Sequence, residues 1–318
     1  MAAVTGINEN AVARPISRAG SFAVGSARQK YVSSGPSRIA FYESDAVSQP
    51  GFANPLILIH GLCSMSYTWH ECFDQLAAHR RTIALDLKGF GASDKPADGD
   101  YLLETQAGIV ISLMDSLGLS RAALAGNSLG GAVALCVAAA WPQRVTDLIL
   151  ASPAVCGFDQ FSPLARFVLA ANRKVSESVA LGAVNRLARV PGFIARRIRH
   201  AHRHAATVTP ERVGAYSAML SDPQCQRAII ATLRTLDLKI VERELSSVHH
   251  RTLILQGVYD RVVPPSTVEL LARRLPHAEV RMLPCGHAPQ EEMPAEFARL
   301  VNEFLAAESS PRIRLAMN

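Results

Sequence analysis

The sequence predicts an α/β protein: a mostly parallel central sheet with helices on both faces and an inserted helical lid. Three observations carry this. Short apolar runs of strand length alternate with longer helix-spaced runs. The run ending at Gly126 passes through one sharp turn into an Ala-rich stretch of helix length, Leu129 to Ala140. The strand-and-helix rhythm then lapses between residues 158 and 247, where only helical patterns and turn signals remain.

Taken in order, residues 1–35 are rich in Ala, Ser and Gly, carry Arg14, Arg18 and Arg28 against Glu9, and lack an apolar signal core. They read as a flexible N-terminal segment. The core is expected over 36–157 and 248–306. Its strands are expected at Arg38–Glu43, Pro55–Ile59, Arg81–Asp86, Ala122–Gly126, Val145–Ala151, Leu253–Gly257 and Val280–Leu283. Trp69, Phe73 and Leu76 share a helix face, and Ile109–Leu117 forms an amphipathic helix that Gly118 stops. Asp86 and Asp94 fall in a Gly-rich loop and read as turn chemistry. The helical lid is expected over 158–247 and a C-terminal tail over 307–318. Right-handed crossovers would bring the strand ends before Leu62, Ser128, Asp260 and His287 to one carboxyl edge, where open α/β sheets bind ligands.

At 318 residues, 49% apolar and 19% charged, the chain can bury a large core, and no apolar run reaches the ~20 residues of a membrane span. The six cysteines show no paired spacing, which fits a reducing, cytoplasmic setting. Cys63 and Cys285 flank the residues of interest and read as small apolar filler. The net charge of +6 comes without aromatic–basic interleaving or zinc-finger spacing, so no nucleic-acid partner is expected. Within 158–247 basic residues outnumber acidic ones roughly two to one, densest over Ala195–His204. That run is either a solvated face or a lid that draws an anionic small-molecule substrate. His200 and His204 share a helix face, but no further ligand lies nearby and no metal is predicted.

The chemistry starts at Gly126-Asn127-Ser128-Leu129-Gly130. A strand-to-helix turn would lift the Ser128 hydroxyl clear of the sheet and aim the helix N-terminal amides at whatever it attacks. Gly126 and Gly130 answer the crowding of such a turn. Downstream, Gln256-Gly-Val-Tyr-Asp260 and Pro284-Cys-Gly-His287 each close a strand with one ionisable residue; upstream, a strand ends in His60-Gly61-Leu62.

With Asp86-Leu-Lys-Gly-Phe-Gly-Ala-Ser-Asp-Lys-Pro96, these pieces resemble a lid-bearing, esterase-like member of the serine-dependent α/β-hydrolase superfamily over roughly residues 36–306. The resemblance implies the α/β-hydrolase fold, Ser128 as nucleophile, His287 as base and Asp260 as the acid that orients it. Some relatives place the acid after the preceding strand; here that end reads Ala151-Ser-Pro153. The amides of Leu62 and Leu129 would form the oxyanion hole, with His60, Gly61, Gly126, Asn127 and Gly130 in support. The expected activity is hydrolysis of a carboxylic ester or thioester through an acyl-enzyme on Ser128, with no cofactor. The alternative is a carbon–carbon bond hydrolase acting on a ring-fission dienoate-type acid. Such relatives commonly carry a Gly-rich oxyanion loop and a Trp after the base, where this chain has Leu62-Cys-Ser-Met65 and Ala288. A third reading is a non-catalytic binding protein on the same fold.

Overall fold

The computed structural model describes residues 22–44, 54–155 and 174–307. The expectations for residues 1–21, for 158–173 of the lid and for 308–318 of the tail lie outside the described residues.

Eight strands form one sheet: β1 Arg28–Ser34, β2 Ser37–Glu43, β3 Leu56–Ile59, β4 Thr82–Leu85, β5 Ala122–Asn127, β6 Val145–Ala151, β7 Arg251–Gly257 and β8 Ala278–Leu283. Their order is β1-β2-β4-β3-β5-β6-β7-β8. From β4 to β8 every pairing is parallel; β1 and β2 are antiparallel to each other, and β2 to β4. The α/β-hydrolase fold is thus the architecture of the chain. The helices are α1 His70–Ala77, α2 Leu103–Ser116, α3 Leu129–Ala140, α4 Glu177–Ala188, α5 Phe193–Ala201, α6 Pro210–Leu220, α7 Pro223–Thr235, α8 Leu238–Glu244, α9 Ser266–Arg274, α10 Pro289–Glu292 and α11 Pro294–Ala306. Among the described residues no helix is long and apolar enough to cross a membrane.

Strands buried on both faces explain why the central runs are continuously apolar. In β3, Leu56 and Leu58 face a layer that holds Trp69, Phe73, Phe297 and Phe304 from the α1 and α11 side. Ile57 and Ile59 face the opposite layer, with Val110 and Leu113 of α2, Val133 of α3 and Leu271 of α9. The Ala-rich run of α3 lets that helix lie close against the sheet.

The structure corrects the sequence reading in two places. Residues 28–34, taken as part of the flexible segment, enter the sheet as β1, paired from Arg28↔Glu43 to Ser34↔Ser37. Gly35, at φ 56°, and Pro36 make the two-residue hairpin loop. The mostly polar side chains of β1 hid it, because an edge strand needs little apolar content. At the other boundary, α8 packs against α3, with Val241 and Leu245 fully buried, so this end of the stretch taken as lid lies in a core helical layer.

The sheet also dictates a glycine. A Cβ on Gly130 would stand 2.1 Å from the Ile59 carbonyl oxygen and 2.6 Å from that of His60, both main chain at the end of β3. Gly130→Ala must push α3 off the sheet, and the expected loss is about 3 kcal/mol. A urea-unfolding midpoint close to that of the parent would contradict it.

Candidate active site

β5 ends at Asn127, and Ser128 takes φ 53° and ψ −114°, a backbone region that L-residues rarely occupy. Surrounding bonds hold it there. The Ser128 amide donates to Ala151 O at 2.9 Å, and Ser128 O accepts from Gly131 N at 3.0 Å and Ala154 N at 3.1 Å. Ser128 is only partly buried, and among the described residues its hydroxyl makes no hydrogen bond. Gly126 is a further point of close approach, since a Cβ there would meet Gly130 O at 2.2 Å.

Gly61 lies against this turn: a Cβ on it would meet both Ser128 Cβ and Asn127 Oδ1 at 3.2 Å. The amides of Leu62, after β3, and Leu129, the first residue of α3, donate no hydrogen bond within the described protein. His60 holds the loop between them. The Leu87 amide donates to its Nε2 at 3.0 Å, so the ring proton sits on Nδ1 and donates to Gly61 O at 2.8 Å. Burial lowers the His60 pKa against the opposing charge of Asp86, in keeping with a neutral ring. Asp86 in turn accepts from the amides of Ser66 and Ala92, and Asp94 from that of Arg38; both are turn anchors.

At the next strand ends, Asp260 and His287 meet. Asp260 Oδ1 accepts from the amides of Val262 and Val263 at 2.8 and 2.9 Å, and Oδ2 faces His287 Nδ1 at 2.8 Å. Burial raises the Asp260 carboxyl, but the His287 charge and hydrogen bond and the two amides outweigh it and hold the group below its usual pKa. Asp260 is therefore an ionised acceptor, His287 Nδ1 carries the proton, and Nε2 has no partner among the described residues. Asn127, whose direction the sequence did not reveal, donates from Nδ2 to Ala151 O at 3.0 Å and to His287 O at 3.2 Å. It seats the His287 main chain beside the Ser128 turn. Burial raises the thiols of Cys63 and Cys285, to about 11 and about 12, so both stay protonated near neutrality.

A buried polar cluster that the sequence reading missed fixes the helical insertion to this site. Glu291, on α10, accepts at Oε1 from Thr68 Oγ1 at 2.6 Å and Tyr216 O–H at 2.5 Å. Its Oε2 lies 3.2 Å from both His202 Nε2 and Arg212 Nε. Ser64, in the loop after Leu62, lies within 3.2 Å of the Tyr216 hydroxyl. Glu292 accepts from Gly286 N at 2.7 Å through Oε1, and from Arg203 N and His204 N at 2.6 and 3.0 Å through Oε2. The His287 amide donates to Ala201 O at 2.7 Å. The only local signal is the pair Glu291-Glu292 on a one-turn helix just past His287, and nothing near it in sequence announces its partners. The basic run splits: His202 turns inward, while Arg196, Arg197, Arg199, His200 and Arg203 are exposed and the His204 ring sits on Pro284 O. Among the described residues no group of three or more His, Cys, Asp or Glu could hold a metal.

Residues 54–294 match the family model described as alpha/beta hydrolase fold. The chain is 31% identical to 2-hydroxy-6-oxo-2,4-heptadienoate hydrolase of Pseudomonas putida, over 81% of this chain and 91% of that one. It is 30% identical to 2-hydroxymuconate semialdehyde hydrolase of a Pseudomonas species, over 83% of this chain and 90% of the relative. Among solved structures, a thermophilic esterase from Thermogutta terrifontis superposes with a TM-score of 0.71 at 26% identity, covering 89% of this chain and 100% of that one. The chain belongs to the α/β-hydrolase family.

Glu291 carries a pH signature. Burial raises its carboxyl, but the His202 hydrogen bond, the charges of His202 and Arg212 and the Thr68 hydroxyl outweigh burial and hold it at about 2, against 4.5 for a free glutamate. A depressed acid contributes stability that is present above its unfolded pKa and lost as pH falls toward the folded one. Glu291→Gln is expected to lose about 3 kcal/mol at pH 7. The gap to the parent should narrow as pH drops from 4.5 toward 2. Urea unfolding at pH 7 and pH 3.5 measures both, and a gap independent of pH would refute the assignment.

Proposed function

We propose that the chain is a serine hydrolase that cleaves a carboxylic ester or thioester through an acyl-enzyme on Ser128. The observation that carries this reading is the ionised, amide-held Asp260 carboxylate 2.8 Å from His287 Nδ1, which leaves Nε2 as base at the same sheet edge as a serine hydroxyl that is unbonded among the described residues. Ser128 Oγ attacks the acyl carbon while His287 Nε2 takes its proton, and Asp260 stabilises the imidazolium that forms. The negative oxygen accepts from the amides of Leu62 and Leu129, and each such donor is worth about 3 kcal/mol of barrier. His287 then protonates the leaving alcohol or thiol. A water that gives its proton to Nε2 attacks the acyl-enzyme, releases the acid and restores Ser128. The hydrogen bond from Ser128 to Nε2 forms as substrate fills the cleft, since such bonds tighten in the substrate complex. The helices of the insertion act as the lid over this edge. No cofactor enters the scheme.

The relatives favour a second reading on the same residues. Two hydrolases whose names specify a dienoate and a muconate semialdehyde are 31% and 30% identical to the chain, which supports carbon–carbon cleavage of a ring-fission dienoate-type acid. Ester chemistry is supported by the likeness to the Thermogutta esterase and by Ala288, a small side chain after the base.

The parent is expected to hydrolyse p-nitrophenyl acetate, and Ser128→Ala to lower that rate by at least about a thousandfold. A loss of only a few-fold would rule out the serine mechanism. Failure of a fluorophosphonate probe to label folded protein would favour a binding protein on this fold. Bleaching of a 2-hydroxy-6-oxo-dienoate absorbance much faster than ester turnover would promote the second reading.

A further inference from the structure

The basic run 196–204 has no part in the chemistry above, yet the structure organises it. Arg199, Arg203 and His204 face a surface pocket of about 210 Å3, which Tyr259 and Arg261 close from the other side. The Arg203 guanidinium lies 4.9 Å from the centroid of the Tyr259 ring, stacked on an aromatic face. None of Arg199, Arg203 and Arg261 is paired with a carboxylate among the described residues. The acids close by in the chain are all engaged. Asp260 holds His287 and two amides, Glu291 holds His202 and Arg212, and Glu292 holds the amides of Gly286, Arg203 and His204. The pocket gathers the charges of Arg199, Arg203 and Arg261 with no carboxylate counter-ion among the described residues.

Its walls are fixed in advance. Glu292 ties down the backbone of Arg203 and His204, the His204 ring sits on Pro284 O at 3.0 Å, and the Tyr259 amide donates to Cys285 O at 3.0 Å. A ligand there meets a backbone already ordered, which lowers the entropic cost of binding.

We infer that this pocket is an anion site for a phosphoryl group, borne by a small molecule or by a lipid headgroup, and separate from the cleft at Ser128. Its walls include none of Ser128, Leu62, Leu129 and His287. A carboxylate offers two oxygens to these guanidiniums, whereas a terminal phosphoryl group offers three and a double charge. Stacking on Tyr259 occupies a face of Arg203 and leaves its N–H edge for in-plane bonds to the ligand. Tyr259 and Arg261 flank Asp260, and Arg199 and Arg203 flank Ala201, whose carbonyl takes the His287 amide proton. A phosphoryl group bound between them braces the Asp260 loop against the insertion.

Titration calorimetry with pyrophosphate at constant ionic strength, and co-sedimentation with phosphatidate-containing against pure phosphatidylcholine vesicles, test the site. Saturable pyrophosphate binding is expected, weakened at least about tenfold in Arg199→Ala/Arg261→Ala and unchanged in Ser128→Ala. The Ser128→Ala arm makes the result independent of the proposed acyl-enzyme. Single Arg261→Ala, with circular dichroism on each protein, guards against misfolding of the double variant. Capture by phosphatidate vesicles, abolished in the variant, without a response to pyrophosphate assigns the phosphoryl group to a lipid surface. Binding of neither probe, or equal binding by parent and variant, overturns the site.

Discussion

Two consecutive carboxylates tie the carboxyl edge of this sheet, where His287 lies, to the helices inserted after β6. Glu291 and Glu292 follow His287 by four and five residues, and between them they accept from the 3-10 turn at Thr68, from Gly286 and from His202, Arg203, His204, Arg212 and Tyr216 of the insertion. A buried ionised acid is tolerable only when donors surround it, and here those donors come from separate elements. Satisfying the charge therefore fixes the relative placement of the elements. The position of the imidazole is a by-product of that electrostatic requirement.

A second constraint is steric. The Ser128 turn, the end of β3 and the loop through Gly61 approach so closely that a methyl group at Gly61 or Gly130 would meet neighbouring atoms at 3.2 or 2.1 Å. The strained dihedrals of Ser128 persist because hydrogen bonds on both its amide and its carbonyl over-determine them. Rigidity of this kind fixes the backbone around Leu62 and Leu129, whose amides donate no hydrogen bond among the described residues.

Much of this edge could be read from the chain because the signals are local. Apolar runs that stop at Gly-bearing turns marked the ends of β3, β5, β7 and β8, and a parallel sheet brings such ends to one side by geometry alone. β1 escaped because its residues are mostly polar, and only its pairing with β2 makes it a strand. The Glu291 cluster escaped for a different reason. Thr68, His202, Arg212 and Tyr216 come from distant parts of the chain, and nothing in their local sequence distinguishes them from surface residues. Asn127 was visible as a neighbour of the serine, but the direction of its amide depends on where Ala151 and His287 come to rest.

The hydrogen bond from the His287 amide to the Ala201 carbonyl limits how the molecule can breathe. Lifting the end of α5 would break this bond and pull on the main chain of His287. On the far side of the insertion α4 buries only Ala180 and leaves Val179 and Leu187 exposed. Ile194 and Ile198, buried on α5, add to that bond and anchor α5 more firmly than Ala180 alone anchors α4.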